Sequence, residues 1–598
     1  TGTVLGSSVM PGAQWFPGAE LNFVEHLLRY KSLDTPALMY KSESLGEGTI
    51  SWAELYRQVG SLAHVLKTLG VKKGDRVCAY LPNTHHAVVA CLAAVSLGAI
   101  WSVAAPDMGV NSIVDRFSQI QPTVLIACDG YQYAGKDIDR REEVLELQQA
   151  LPSLNHIISV PLLGNDSSTQ TNSIEWGEAT SGNEPLEVVP VPFDHPIWIL
   201  YSSGTTGMPK PIVHGHGGML LSGLLNADIH TDLSPGSRYF LMSSTGWMVW
   251  NVQLFGLLVG ATVFLLDGAP TGAGQKPDLG FVWRLVSKNK IYALGSGAAF
   301  YALCLKNGLA PGKDQDFSEL KMICSTGSPL SPECYEWIYS DVKQDVWLNS
   351  VSGGTDICGA FLNGLPTLPV YQGEMQCRSL GASVYAFNEQ GEAIYDDVGE
   401  LVCTKPMPSM PLYFWGDEGN RRYLDSYFDM FKDNDGNNIW RHGDWLQINR
   451  HKEAFGGIIF GRSDTTINRQ GIRIGSSEIY RAVEALPEVI DSLLVDLEYL
   501  GRASYMPLFV QMQDGVKLNE DLVAIIKQSV RQHVSPRMVP NDVFQVSEIP
   551  YTLTGKKVEL PIKKLLLGQP EEKVINRDAV RNPNALDWYI EFAKLNAQ

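Results

Sequence analysis

The sequence predicts an α/β protein: a large N-terminal domain of doubly wound sheets with helices, followed by a small mobile α+β C-terminal domain. Two observations carry that prediction. Apolar, strand-like runs such as DRVCAYL, PTVLIAC, HPIWIL and ATVFLL alternate with helical patterns across the first three quarters of the chain, which is the grammar of parallel strands covered by helices. After GRSD, Gly461 to Asp464, the text changes to a compact helix–strand–strand–helix–strand series, and about 110 residues of such a pattern make a small domain of their own.

Taken in order, the elements support this division. The stretch from Ala87 to Ala105 carries no charge and is long enough to cross a bilayer. Gly98 sits where a helix would stop, β-branched and aromatic residues follow, and Pro106 ends the run, so it reads as a buried helix leading into a buried parallel strand. Leu254 to Asp267 repeats that grammar as helix, Gly260, strand. The polar, turn-rich segment from Asn165 to Pro185 reads as a surface insertion. In the small domain a helix from about Ser476 places Ile479, Val483 and Leu486 on one face. Strands SLLVDL and PLFVQM come next, then a helix with Leu522, Ile525, Ile526 and Val530, then strand DVFQV. The expected division is residues 1–462, 463–570 and a closing extension, 571–598.

Composition excludes some partners. The formal net charge of -18 argues against nucleic acid, because a polyanion needs a basic surface, so an anionic substrate would have to be held by a locally basic site. Nine cysteines without a C-x-x-C pair fit reduced, mostly buried thiols and a cytoplasmic address. The chain opens TGTVLGSSVMPG, starting on threonine and not methionine and showing no basic-then-apolar signal pattern, as a trimmed start would.

The stretch YSSGTTGMPKPIVHGHGG, Tyr201 to Gly218, points to chemistry. Hydroxyls, backbone N–H groups freed by glycine and one lysine are what a chain offers to phosphate oxygens. It is not a Walker loop, since Lys210 lies three residues after Gly207 and Pro209 and Pro211 flank it. GTTG alone would equally suit a connection that binds nothing. Three other motifs follow in the chain: STGSPLSP, RHGDW with FGRSD, and PYTLTGKK.

With these motifs in this order over nearly the whole chain, the sequence resembles the adenylate-forming superfamily of acyl-CoA synthetases, peptide-synthetase adenylation domains and luciferases. Within it, QWFPGAELNF, IWSVAAPDMG, STGWMVWN and TGKKVELPIKK look most like members that join acetoacetate to coenzyme A. The resemblance implies a phosphate loop of Ser202, Ser203, Gly204, Thr205, Thr206, Gly207 and Lys210 around the β- and γ-phosphates of ATP. It implies that Gly327, Ser328 and Pro329 lie beside adenine, Asp444 holds both ribose hydroxyls, and Arg462 and Arg473 meet ribose or phosphate. Asp464 would be the hinge of the small domain, and Lys556 the catalytic lysine that reaches carboxylate and α-phosphate during adenylation.

Relatives carry an aromatic, Gly, any residue, Thr and Glu where this chain reads SGGTD. Ser352 replaces the aromatic that stacks on adenine, Gly354 and Thr355 follow, and Asp356 stands for the glutamate that holds magnesium (Mg2+). Gly353 takes the place of a pocket-shortening tryptophan of acetyl-CoA synthetases, which predicts an acyl pocket larger than acetate, with Trp247, Met248 and Trp250 among its walls. Plain core aromatics are the equal alternative for these three. Glu559 departs from the arginine of many relatives. His214 and His216 have no third ligand at metal spacing, which favours structural hydrogen bonding. The implied reaction uses ATP, magnesium and coenzyme A to convert acetoacetate to its thioester through an acyl adenylate. Propionate, butyrate or 3-hydroxybutyrate are the nearer alternatives, and a non-catalytic adenylate-binding relative is the more distant one.

Overall fold

The computed structural model describes residues 2–164, 173–202, 208–274, 276–452, 454–463, 467–469, 472–474, 476–497, 505–534, 536–553 and 555–596. Two large sheets form the bulk. In the first, six parallel strands, Arg76–Tyr80, Ile100–Ala104, Val124–Cys128, His156–Val160, Ser173–Glu175 and Pro196–Tyr201, are extended by antiparallel Pro211–Gly215 and Tyr413–Phe414. The second has parallel strands Pro36–Ser42, Arg238–Leu241, Thr262–Asp267, Ala293–Gly297, Met322–Thr326 and Trp347–Ser350, with Gly46–Ser51 antiparallel at one edge.

Helices Trp52–Thr68 and His85–Ser96 share one core with inward residues of both sheets, among them Val77 and Ala79 of the first and Leu38 and Leu265 of the second. That position explains the membrane-length apolar run, because a helix packed on all sides has no polar face, and His86 through Ser96 are buried without a break. No helix among the described residues is long and apolar enough to cross a membrane.

Three local expectations need correction. Leu254–Val259 winds as a 3-10 helix ending at Gly260 in the left-handed region. The expected insertion from Asn165 partly belongs to the fold: residues 165–172 lie outside the described residues, but Ser173–Glu175 extends the first sheet and Trp176 in the short helix Trp176–Ala179 is buried. Residues 384–462 depart most from the parallel pattern, forming an antiparallel sheet whose long strand Asn438–Arg450 pairs with Val398–Cys403 on one side and Phe455–Arg462 on the other. Only the second half of Asn438–Arg450 alternates, with Leu446 and Ile448 buried between partly exposed Trp445, Gln447 and Asn449.

The last part of the chain packs helices Ser476–Glu484 and Glu520–His533 with a sheet of Val489–Leu494, Pro507–Met512 and Asp542–Val546. The Asn519 side chain caps the second helix by accepting from the Leu522 N–H. Of its apolar residues, Ile526 and Val530 are buried and Ile525 is exposed. The first strand begins at Val489, ahead of SLLVDL. Residues beyond 570 build a second cluster on the opposite face of this sheet: Leu586, Tyr589 and Ile590 of the final helix Ala585–Asn596 pack with Leu493 and Phe509.

One buried acid yields a prediction. Asp267, 5% exposed at the end of Thr262–Asp267, accepts a hydrogen bond from the Ser42 hydroxyl at 2.6 Å. Burial pushes its carboxyl up to about 6, the Ser42 bond opposes this and Glu43 adds to it. A folded-state value above the unfolded one means that stability present below the ordinary aspartate range is lost as pH rises through about 6. Asp267→Asn is therefore expected to gain on the wild type between pH 4 and pH 7.5, by up to about 3 kcal/mol. Urea unfolding at both pH values checks this, and a gap that does not change with pH would refute it.

Candidate active site

A cleft of about 1620 Å³ opens at the carboxyl ends of strands Met322–Thr326 and Trp347–Ser350, where parallel α/β sheets place ligands. Its walls bring together most of the residues singled out in the sequence: Ser202, Lys210, Trp247, Met248, Gly327, Ser328, Pro329, Ser352, Gly353, Gly354, Thr355, Asp356, Asp444, Arg462 and Lys556. The remaining phosphate-loop candidates Ser203, Gly204, Thr205, Thr206 and Gly207, and the hinge candidate Asp464, lie outside the described residues. Arg473 pairs with Asn468 between strands Ile472–Ile474 and Ile467–Arg469.

Asp444 and Arg462 are register partners on neighbouring strands, with Arg462 Nη1 3.3 Å from Asp444 Oδ1. His442 lies two residues before Asp444 and thus on the same strand face, its Nε2 3.6 Å from Asp444 Oδ2. Gly443 between them has φ +85 and donates its N–H to Glu400 Oε1 at 3.0 Å; a Cβ there would meet Arg462 Nη2 at 2.9 Å. The left-handed backbone favours glycine here, and any side chain would in addition displace the Arg462 guanidinium.

Asp356 is held on two sides. His214 Nε2 bonds its backbone oxygen at 3.0 Å, and the Tyr427 hydroxyl donates to Oδ1. Burial alone would raise the Asp356 carboxyl, but His442, the Tyr427 hydroxyl and the Arg462 guanidinium outweigh it and hold it below its ordinary value. The tyrosine is itself fixed, its ring stacked on Trp440 at 3.8 Å. Lys210 leaves the phosphate-type loop to donate to Ser426 Oγ at 2.9 Å beside the Tyr427 ring, so loop, tyrosine and carboxylate form one assembly.

His442 is buried against Phe361. Burial lowers its pKa, Asp444 and Asp356 oppose that effect, and Arg462 and Lys556 reinforce it. Lys556 therefore stands close enough to act on the same imidazole. It is carried by a tight hairpin in which Thr552 N–H bonds the Lys556 carbonyl at 2.7 Å and Gly555 takes φ +80, and its side chain is exposed to the cleft.

An apolar lobe of the cleft is lined by Tyr239 and Leu241 of one strand and Met322 and Cys324 of another, spaced two apart and so on one sheet face. Val249 and Val252 close it beside Trp247 and Met248. Two sequence expectations change here. Trp250 is no pocket wall: it is fully buried, stacks on Trp101 and donates to Asn83 Oδ1 at 3.1 Å. Gly353 does line the cleft, but a Cβ at this position would lie 1.9 Å from the Gly359 carbonyl oxygen. Its glycine is thus needed for the close approach of Ser352–Gly354 to Gly359–Asn363, next to a bulge between Ser352 and Gly353. Sequence reading missed His442, Tyr427, and the lobe's polar residues Asn226, Thr231, Asn349 and Asn363, because no short motif contains the last four.

His214 and His216 are structural. Burial, the dominant effect on each, lowers them to about 4 and about 3, and His216 Nδ1 accepts from the Phe23 N–H at 3.3 Å. Among the described residues no group of three or more His, Cys, Asp or Glu is arranged to hold a metal ion.

A family model described as AMP-binding enzyme matches residues 25–414. The chain is 39% identical over 598 residues to acetoacetyl-CoA synthetase of Gallus gallus, covering 98% of this chain and 88% of that protein. The chain belongs to the AMP-binding enzyme family. A bacterial relative, acetoacetyl-coenzyme A synthetase of Rhizobium meliloti (strain 1021), is also 39% identical, over 98% of this chain and 88% of its own. The solved acetoacetyl-CoA synthetase from Streptomyces lividans superposes with a TM-score of 0.92 at 44% identity, covering 99% of this chain and 89% of that one. An anthranilate CoA ligase solved with anthranoyl-AMP, AuaEII, shares the fold at a TM-score of 0.75 and 18% identity, over 91% of this chain and 97% of that one. The superfamily resemblance read from the motifs therefore holds.

Proposed function

We propose that the protein joins acetoacetate to coenzyme A at the expense of ATP, through acetoacetyl adenylate, releasing pyrophosphate and then AMP. The observation that carries this reading is the meeting of Lys556 with Asp444, Arg462 and Asp356 in one cleft; the names of the relatives direct the choice of acid. Residues 1–462 act as the adenylation domain, 463–570 as a lid that swings about Asp464, and 571–598 as an extension packed into the lid's core.

In the first step a carboxylate oxygen of acetoacetate attacks the α-phosphorus and pyrophosphate leaves. Lys556 faces the charge that gathers on the attacking and phosphoryl oxygens, where a preorganised cation stabilises the transition state most. Asp444 accepts the ribose hydroxyls, steadied by Arg462; Gly327, Ser328 and Pro329 flank adenine; and Ser202 to Lys210, with Arg473, hold phosphates. Magnesium would be held by the ionised Asp356 carboxylate together with ATP phosphates, where it would neutralise charge. In the second step the thiolate of coenzyme A attacks the activated carbonyl carbon and AMP leaves, with Lys556 withdrawn by rotation of the lid.

The test is pyrophosphate release from ATP and magnesium with acetoacetate, acetate, propionate, butyrate or 3-hydroxybutyrate, with and without coenzyme A. Acetoacetate is expected to exceed each of the others in kcat/KM by about tenfold or more. Equal rates with acetate would sink the assignment of the acid, and no release with any of them would leave a protein that binds adenylate without turnover.

A further inference from the structure

Lys557, the neighbour of Lys556, points the other way. Successive residues of an extended hairpin face opposite sides, so while Lys556 is exposed in the cleft the Lys557 ammonium is held at the cleft's edge among groups of the small domain, its side chain 14% exposed. Its Nζ lies 2.5 Å from Glu484 Oε1, 2.7 Å from Asp491 Oδ1 and 2.5 Å from the Ser492 carbonyl, and 3.9 Å from the centre of the Tyr480 ring. Across the hairpin Lys557 forms a bridge with Tyr551, whose hydroxyl donates to the other oxygen of the same Asp491 at 2.7 Å. Both legs of the hairpin are thus tied to one carboxylate.

Two residues further on, Glu559 accepts from Ser476 Oγ at 2.8 Å and from the Tyr480 hydroxyl at 2.7 Å. This gives a physical reason for the acidic residue that departs from the motif of relatives. The segment carrying Lys556 is held at two points on helix Ser476–Glu484, with Lys557 the inner one. Burial works against the Lys557 charge, but Glu484 and Asp491 outweigh it and raise its pKa above that of an ordinary lysine. Removing one member of such a group leaves the others buried without compensation, which loosens the segment they share.

We propose that Lys557 is a positioning residue for adenylation: by clamping the hairpin to Glu484 and Asp491 it sets where the Lys556 ammonium stands in the cleft. The proposal rests on Lys556 being the lysine that serves the adenylation step. Because that lysine is withdrawn when coenzyme A attacks, loosening its hairpin should slow the first half-reaction and spare the second. A general loss of folding would lower both together.

The experiment measures the two halves separately: acetoacetate-dependent exchange of pyrophosphate into ATP, and thioester formation from chemically prepared acetoacetyl adenylate and coenzyme A. Lys557→Met is expected to lower exchange by about 10- to 100-fold, as misplacement of a catalytic group by an ångström does, with thioester formation within about threefold of wild type. Lys557→Arg, which keeps a charge, should exchange faster than Lys557→Met. Asp491→Asn, which retains the shape of the acceptor, should show the same split and stands in if Lys557→Met does not fold. Equal losses in both halves, or unchanged exchange, would overturn the proposal. Lys556→Ala run in the same exchange assay separates the two levels: wild-type exchange in that variant would mean that the reading of Lys556 itself has failed.

Discussion

Lys556→Ala is expected to lose acetoacetate-dependent pyrophosphate release by about 10² to 10³-fold, the range seen when one preorganised charge-stabilising group is removed. The loss should fall on kcat, because the lysine meets charge that develops only as the carboxylate attacks phosphorus, and the KM for ATP should change little. The surroundings sharpen this expectation. Asp444 and Arg462 are bonded to each other across a strand pair, and Lys210 is bonded to Ser426, so neither cation is placed to take over at the position that Lys556 reaches. Steady-state kinetics with both substrates varied will read the effect. A variant whose KM rises while kcat holds would make Lys556 a ground-state contact.

Gly353→Trp separates two explanations of the acyl pocket. If the position were simply a vacated wall, the indole would shorten the pocket and bring acetate activity up as acetoacetate activity fell. The backbone geometry implies another outcome, since a Cβ at 353 would lie 1.9 Å from the Gly359 carbonyl oxygen and 2.8 Å from the Ala360 Cα. Backbone atoms cannot give way as a flexible side chain can, so Ser352–Gly354 must separate from Gly359–Asn363. Gly353→Ala is then expected to cost about 3 kcal/mol, and Gly353→Trp at least as much, with activity lost toward every acid. Urea unfolding together with pyrophosphate release on acetate and acetoacetate decides the matter. A stable, acetate-selective tryptophan variant would restore the vacated-wall explanation.

Lys210, Asp444, Arg462 and Lys556, singled out by the motif order, line one cleft although they are spread over more than half the chain. Short-range chemistry made them legible: a glycine that frees backbone N–H groups, a carboxylate at a strand position and a lysine after a tight turn are local requirements that leave local spelling. His442, Tyr427, Asn226 and Glu484 were not legible in the same way. Tyr427 works toward Asp356 and Glu484 toward Lys557, and nothing beside a tyrosine or glutamate in the chain announces a partner dozens of residues away.

The fold divides along the same line. Uncharged runs ending at Gly98 and Gly260 were enough to predict buried helix-to-strand units, because hydrophobic periodicity and chain reversal are properties of a few consecutive residues. Burial on every side of His85–Ser96 follows from its place between two sheets. The antiparallel sheet of residues 384–462 and the packing of Leu586, Tyr589 and Ile590 into the small domain's core likewise depend on which distant surfaces meet. Residue order thus carried the local elements and named the candidate reacting groups. Which of those groups became anchors, walls or plain core, as with Lys557, Gly353 and Trp250, was settled only when packing brought strands and helices within van der Waals and hydrogen-bond range, where a carbonyl at 1.9 Å or a carboxylate at 2.7 Å outweighs any local preference.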